Sequence, residues 1–144
     1  MCNRQVCNQQ LNDFSAATSM KNAGWSLDLG DWQNNHGSVA PRCRRGNNWF
    51  GFSDGAGVGT ISTVLKGNGA ATLDFGNCWD SGEVKVYLND KMIASAQKDT
   101  PTKTVSFNFQ HGDILKLRDE GANSVIALNG ITMKCLPGPG KSVI

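Results

Sequence analysis

The sequence predicts an all-β protein, an antiparallel β-sandwich of jelly-roll type with about eight to nine short strands, stabilised by disulfides. Three observations carry that expectation. Between Gly82 and Cys135 apolar residues recur at every second position in short runs, separated by polar turn clusters, as half-buried strands require. The 144 residues include 17 Gly and only 18% charged residues, a balance better suited to strands and tight turns than to long helices. The five cysteines, Cys2, Cys7, Cys43, Cys78 and Cys135, lie too far apart for zinc, which favours close pairs, and so point to disulfides.

A chain of this length fits one domain and buries roughly two thirds of the surface that its unfolded form exposes. The expected partition is an N-terminal entry segment over 1–23, a sandwich over 24–135 and a flexible tail or linker over 136–144. Fourteen basic and twelve acidic residues leave a formal charge of +2, too little for the basic stripe of a nucleic-acid binder. Positive charge concentrates in one place, Pro41-Arg42-Cys43-Arg44-Arg45. No apolar run approaches a membrane span of about 20 residues, and the start has no hydrophobic signal region. With disulfides implying an oxidising compartment, the expectation is a mature chain or excised domain of a secreted, extracellular protein.

In chain order, residues 1–23 are polar apart from a few positions such as Leu11 and Phe14, and read as an entry strand or loop. Trp25, Leu27 and Leu29 alternate in a short strand; 31–48 is turn-rich and carries Trp32 on loop backbone. After Trp49, Phe50 and Phe52 comes a strand in which Ile61, Thr63 and Leu65 share a face. Asn68-Gly69 is expected to turn it into a hairpin partner bearing Ala71, Leu73 and Phe75. Val84, Val86 and Leu88 face one way and Lys85, Tyr87 and Asn89 the other, before a turn at Asn89-Asp90. Val105, Phe107 and Phe109 repeat the alternation, then Leu115 and Leu117. Asn129-Gly130, the dipeptide suited to a type I′ turn, predicts a last hairpin between 125–128 and 131–135. The stretch from Gly82 onward is read as one sheet and the residues before it as the opposing sheet and its loops.

From Ala70 to Cys135 this succession, with VKVYLND and then GDILKLRDEGANSVIALNGITMKC, resembles the closing half of the galactose-binding-domain-like β-sandwiches, a group that includes many carbohydrate-binding modules. The resemblance implies the sandwich fold, and a fold alone assigns no activity. The earlier segments GWSLDLGDW and WFGFSDGAGVGT match no member of the group, so no family ligand residue is carried over.

The side chains suit the same chemistry. Sugar rings stack on flat aromatic surfaces while amides and carboxylates bind their hydroxyls. Trp32 with Asn34, Asn35 and His36, Trp79 with Asn77 and Asp80, and outward-facing Tyr87 are the glycan candidates; Trp25 and Trp49 are read as core. Asp113, Asp119 and Glu120 are the carboxylates offered to calcium, and are equally explained as turn residues. No other cofactor is expected. Gly55, Gly57 and Gly59 superficially match a phosphate-binding turn, but the residues that follow read as a strand where that turn needs a helix. His36 and His111 lack the partners of a hydrolytic site, and no enzyme is expected.

A sandwich that brings its chain ends together would pair Cys7 with Cys135 and leave Cys43 with Cys78, each closure contributing about 3 to 5 kcal/mol. Cys2 is then free or joins another chain. The first functional expectation is a non-catalytic, lectin-like module for an extracellular glycan or matrix component. The alternative is a structural or matrix protein that self-assembles as a homo-oligomer or filament through its terminal segments, Cys2 and sheet edges.

Overall fold

The computed structural model describes residues 11, 17–28, 50–52, 59–77, 82–98, 100–120 and 126–135. Within them lie one helix, α1 (Ala17–Asn22), and nine strands: β1 (Trp25–Asp28), β2 (Phe50–Phe52), β3 (Thr60–Val64), β4 (Gly69–Asn77), β5 (Glu83–Leu88), β6 (Lys91–Gln97), β7 (Thr100–Phe109), β8 (Ile114–Glu120) and β9 (Ile126–Cys135). The strands form two antiparallel sheets, a five-stranded one in the order β1-β3-β8-β5-β6 and a four-stranded one in the order β2-β9-β4-β7. Their inward side chains make a single core, so the all-β sandwich expected from the sequence is the architecture observed.

Period-two alternation puts that core together. Ile61, Leu115, Leu117, Val84 and Val86 turn inward from the five-stranded sheet and meet Leu73, Phe75, Phe109, Leu128 and Ile131 from the other. Trp25 joins them at 3% exposure, its indole Nε1 donating to the Leu11 carbonyl at 3.1 Å. Burial of the ring thus leaves its one polar atom satisfied. Thr63, also buried, donates its hydroxyl to the Gly24 carbonyl at 2.9 Å.

Three local expectations are corrected. The entry segment contains α1, not only loop or strand: Met20 and Lys21 favour helix, and Met20 is fully buried in the same core as Leu11. Gly24, at φ 111°, turns the chain from the helix into β1. The turn after β3 is a crossover, because β3 pairs with β1 and β8 whereas β4 pairs with β7 and β9. Asn129-Gly130 makes no hairpin; both residues lie inside β9, where Asp74 opposes Gly130 and Phe75 opposes Leu128, so that Asn129 is the extra residue of a β-bulge. Neither has the positive φ of a type I′ turn. Packed between β2 and β4, this segment gains more by pairing on both sides than by turning back.

The two halves of the sequence are likewise not two sheets. From β3 through β5 each strand crosses to the opposite sheet, β5 and β6 form the hairpin expected at Asn89-Asp90, and β7, β8 and β9 alternate again. Two crossovers, after β3 and after β7, are laced together: Leu65 N donates to Asp113 O at 2.8 Å, Gly112 N to Leu65 O at 2.9 Å, and Gly67 N to His111 Nδ1 at 3.0 Å. Close packing at the start of β4 requires Gly69, since a Cβ there would stand 2.7 Å from the Lys134 carbonyl oxygen and 2.8 Å from the Phe109 ring. Cys135, at the end of β9, is the one cysteine among the described residues.

Candidate binding surface

The outward halves of β4, β7 and β9 form one polar surface. Because Ala71 and Leu73 point into the core, Ala70, Thr72 and Asp74 face solvent, and cross-strand register gives each two neighbours. Ala70 stands between Asn108 and Lys134, Thr72 between Ser106 and Thr132, and Asp74 between Thr104 and Gly130. An open groove of about 670 Å³ crosses the first two rows. Its side chains supply hydroxyls from Thr72, Ser106 and Thr132, the amide of Asn108 and the ammonium of Lys134. The Thr72 and Ser106 hydroxyl oxygens are hydrogen-bonded at 2.9 Å, which orients both at the groove floor.

Asp74 belongs to a separate cluster at the far side of Thr72. Its Oδ1 accepts from the Thr102 hydroxyl at 2.8 Å and from the Asn129 amide at 3.3 Å, so the bulge residue of β9 is placed to hold this carboxylate. The groove itself is lined by no carboxylate among the described residues.

The residues singled out from the sequence are dispersed. Trp32, Asn34, Asn35, His36, Trp79, Asp80, Cys2, Cys7, Cys43 and Cys78 lie outside the described residues. Asn77 is fully buried near the end of β4, opposite Ile126, and offers nothing to a ligand at the surface. Tyr87 faces outward as expected, but on the five-stranded sheet, between Lys116 and Met92. The structure therefore does not bring Tyr87 and Asn77 together.

The carboxylates offered to calcium do not converge either. Asp113 precedes β8 and Asp119 and Glu120 end it, about 20 Å along the strand. Asp113 is engaged in turns, accepting from Gln110 N and from the Asn89 amide, each at 2.8 Å. Asp119 is buried and receives the Gly59 N–H, whereas Glu120 faces solvent and pairs with Lys85 at 3.0 Å. Among the described residues no three acidic, histidine or cysteine side chains gather as metal ligands. Gly59 leads into strand β3, not into a helix, which removes the phosphate-binding geometry from that glycine run.

Sequence reasoning missed the groove residues. Their signal was present: Thr104, Ser106 and Asn108 alternate with Val105, Phe107 and Phe109, and Thr132 and Lys134 alternate with Ile131, Met133 and Cys135. That pattern marks them as outward-facing but does not say which strands lie side by side.

The two antiparallel sheets make a β-sandwich of the fold found in carbohydrate-binding modules. The chain is similar in structure to a family 61 carbohydrate-binding module solved with beta-1,4-galactotriose, with a TM-score of 0.51 at 12% identity over 93% of this chain and 100% of that one. It is also similar to the secreted serine protease VesC from Vibrio cholerae, with a TM-score of 0.50 and 13% identity over 60% of this chain. It spans only 21% of the protease's length. A family 35 module from Paenibacillus barcinonensis matches at a TM-score of 0.44 and 13% identity, over 78% of this chain and 94% of that one. No protein-family model matches the sequence, and no curated protein matches it. The likeness to the family 61 module extends beyond the C-terminal half in which the sequence resemblance was read.

Proposed function

We propose that this chain is a non-catalytic, extracellular carbohydrate-binding module that receives a glycan in the groove across β4, β7 and β9. The observation that carries the reading is the groove's lining. Three hydroxyls and an amide face solvent on rigid, paired strands, where they can both donate to and accept from sugar hydroxyls with little ordering cost. The likeness to a module bound to beta-1,4-galactotriose supports the same reading and supplies the first probe. Trp32 and Trp79 remain proposed as aromatic residues that stack on a sugar. The domain is proposed to be held by a Cys7–Cys135 disulfide, in keeping with a secreted protein.

Isothermal calorimetry against beta-1,4-galactotriose and a glycan array tests the proposal. Binding to at least one glycan is expected, and the double variant Thr72→Val, Thr132→Val should weaken it by roughly fivefold to thirtyfold, about 1 to 2 kcal/mol for two lost hydrogen bonds. Failure to bind any glycan would sink the reading. Binding untouched by the double variant would move the site away from this sheet.

A further inference from the structure

The groove contains a notch whose chemistry is more specific than the groove as a whole. Ala70 is its floor, the smallest side chain on this part of the surface. Asn108 and Lys134 rise on either side from the flanking strands, roughly 10 Å apart at two inter-strand spacings. Thr132, Thr72 and Ser106 close the third side as a row of hydroxyls. The five side chains around Ala70 can each donate a hydrogen bond, and among the described residues the sole charge lining the groove is the Lys134 ammonium. Lys134 is exposed and makes no ion pair with any described residue. Among the described residues the nearest carboxylate on this face, Asp74, lies four residues along β4, about 13 Å away, and its Oδ1 is already occupied by Thr102 and Asn129. Positive charge and donors are thus gathered at one end of the face and negative charge is held at the other.

We infer that the notch over Ala70 takes an anionic substituent of the glycan, a carboxylate or a sulfate ester, held by Lys134 and the surrounding donors. The inference rests on the proposed glycan-binding reading and names the class of glycan the groove selects. A cation with neutral donors around it favours an anion by charge-assisted hydrogen bonding, while the hydroxyl row continues to read the neutral part of the sugar.

The test compares three oligosaccharides of matched length by calorimetry: a neutral galacto-oligosaccharide, an oligogalacturonate and a sulfated galacto-oligosaccharide. At low salt the preferred acidic ligand should bind about fivefold to tenfold more tightly than the neutral one, as one partly screened charge pair allows. The carboxylate and sulfate arms show which anion the notch accepts. The preference should shrink at about 0.5 M salt, collapse to near unity in Lys134→Gln and survive in Lys134→Arg. Ala70→Val, whose β-branched side chain suits a strand, should fill the floor and remove the preference without unfolding the protein. Equal binding of neutral and acidic ligands by the wild type would overturn this inference and leave the glycan-binding proposal standing. Binding of none of the three, with no glycan bound on the array, would overturn both. An acidic preference that persists in Lys134→Gln would place the anion elsewhere.

Discussion

Asn89 and Asp90 have φ values of 53° and 68°, the only positive values among the described non-glycine residues, and they occupy the two-residue connection between β5 and β6. Such a connection needs left-handed backbone at both positions, and Asn and Asp tolerate it better than other side chains. Asn89 also reaches sideways: its amide Nδ2 donates to Asp113 at 2.8 Å, while its Oδ1 accepts from Ile114 N at 2.8 Å. One side chain therefore fixes a turn and ties it to the crossover that begins β8. Asn89→Ala should cost about 2 kcal/mol, from the left-handed strain and the two lost bonds, and lower the melting temperature by roughly 5 to 10 °C. Asn89→Gly keeps the backbone freedom and should cost less. A scanning-calorimetry result in which Asn89→Ala melts with the wild type would mean that the turn is held by its strands alone. On the neighbouring outer face, the Glu120 hydrogen bond and charge raise the Lys85 pKa above its ordinary 10.5. That pairing is complete at neutral pH and is lost only as pH rises through the raised value.

At the scale of elements, β6 and β7 are the last strands of their two sheets, so their outer edges carry the backbone groups most open to pairing with another chain. Lys103 on β7 reaches across and donates to the Ser95 carbonyl of β6 at 2.6 Å. A charged side chain thereby bridges the two edges, and Pro101 removes a donor from the same strand. Lys103→Met retains the apolar stem but not the cap, and should increase self-association measured by light scattering at high concentration. An unchanged mass would show that the edges are protected without Lys103. The same elements show what the sequence could reveal. Alternation along 84–88, 105–109 and 115–117 identified inward faces correctly, because hydrophobic burial acts residue by residue. It did not say that β3 and β4 lie in different sheets, since a turn at Asn68-Gly69 serves a hairpin or a crossover equally well. Nor could it show that Asn129-Gly130 is a bulge, which depends on β2 and β4 flanking β9. The groove was hidden for the same reason: Thr72, Ser106 and Thr132 become neighbours only through pairings 34 and 60 residues apart in sequence.

The whole molecule has to be reconciled with two modes of action, a discrete binder or a self-assembling matrix component. In favour of the discrete binder, the core spans both sheets and draws in Leu11 and Met20 from the entry segment. Among the described residues the exposed large apolar side chains, Val64, Met92 and Ile114, all lie on the five-stranded sheet, away from the groove. In the proposed pairing, the bond at Cys135 joins the last strand to Cys7 and closes a loop of more than a hundred residues. In the chain-entropy view such a closure stabilises the fold by about 4 to 5 kcal/mol. Native mass and melting temperature, each measured with and without reductant, then separate the cases. The discrete binder should remain near 15.4 kDa in both conditions while its melting temperature falls sharply on reduction. Cys7→Ser should reproduce that fall without altering the mass. Large species that dissociate on reduction, and that disappear in Cys2→Ser, would instead make an intermolecular disulfide the joint of an assembly. An unchanged melting temperature on reduction would remove the proposed long-loop closure as a source of stability.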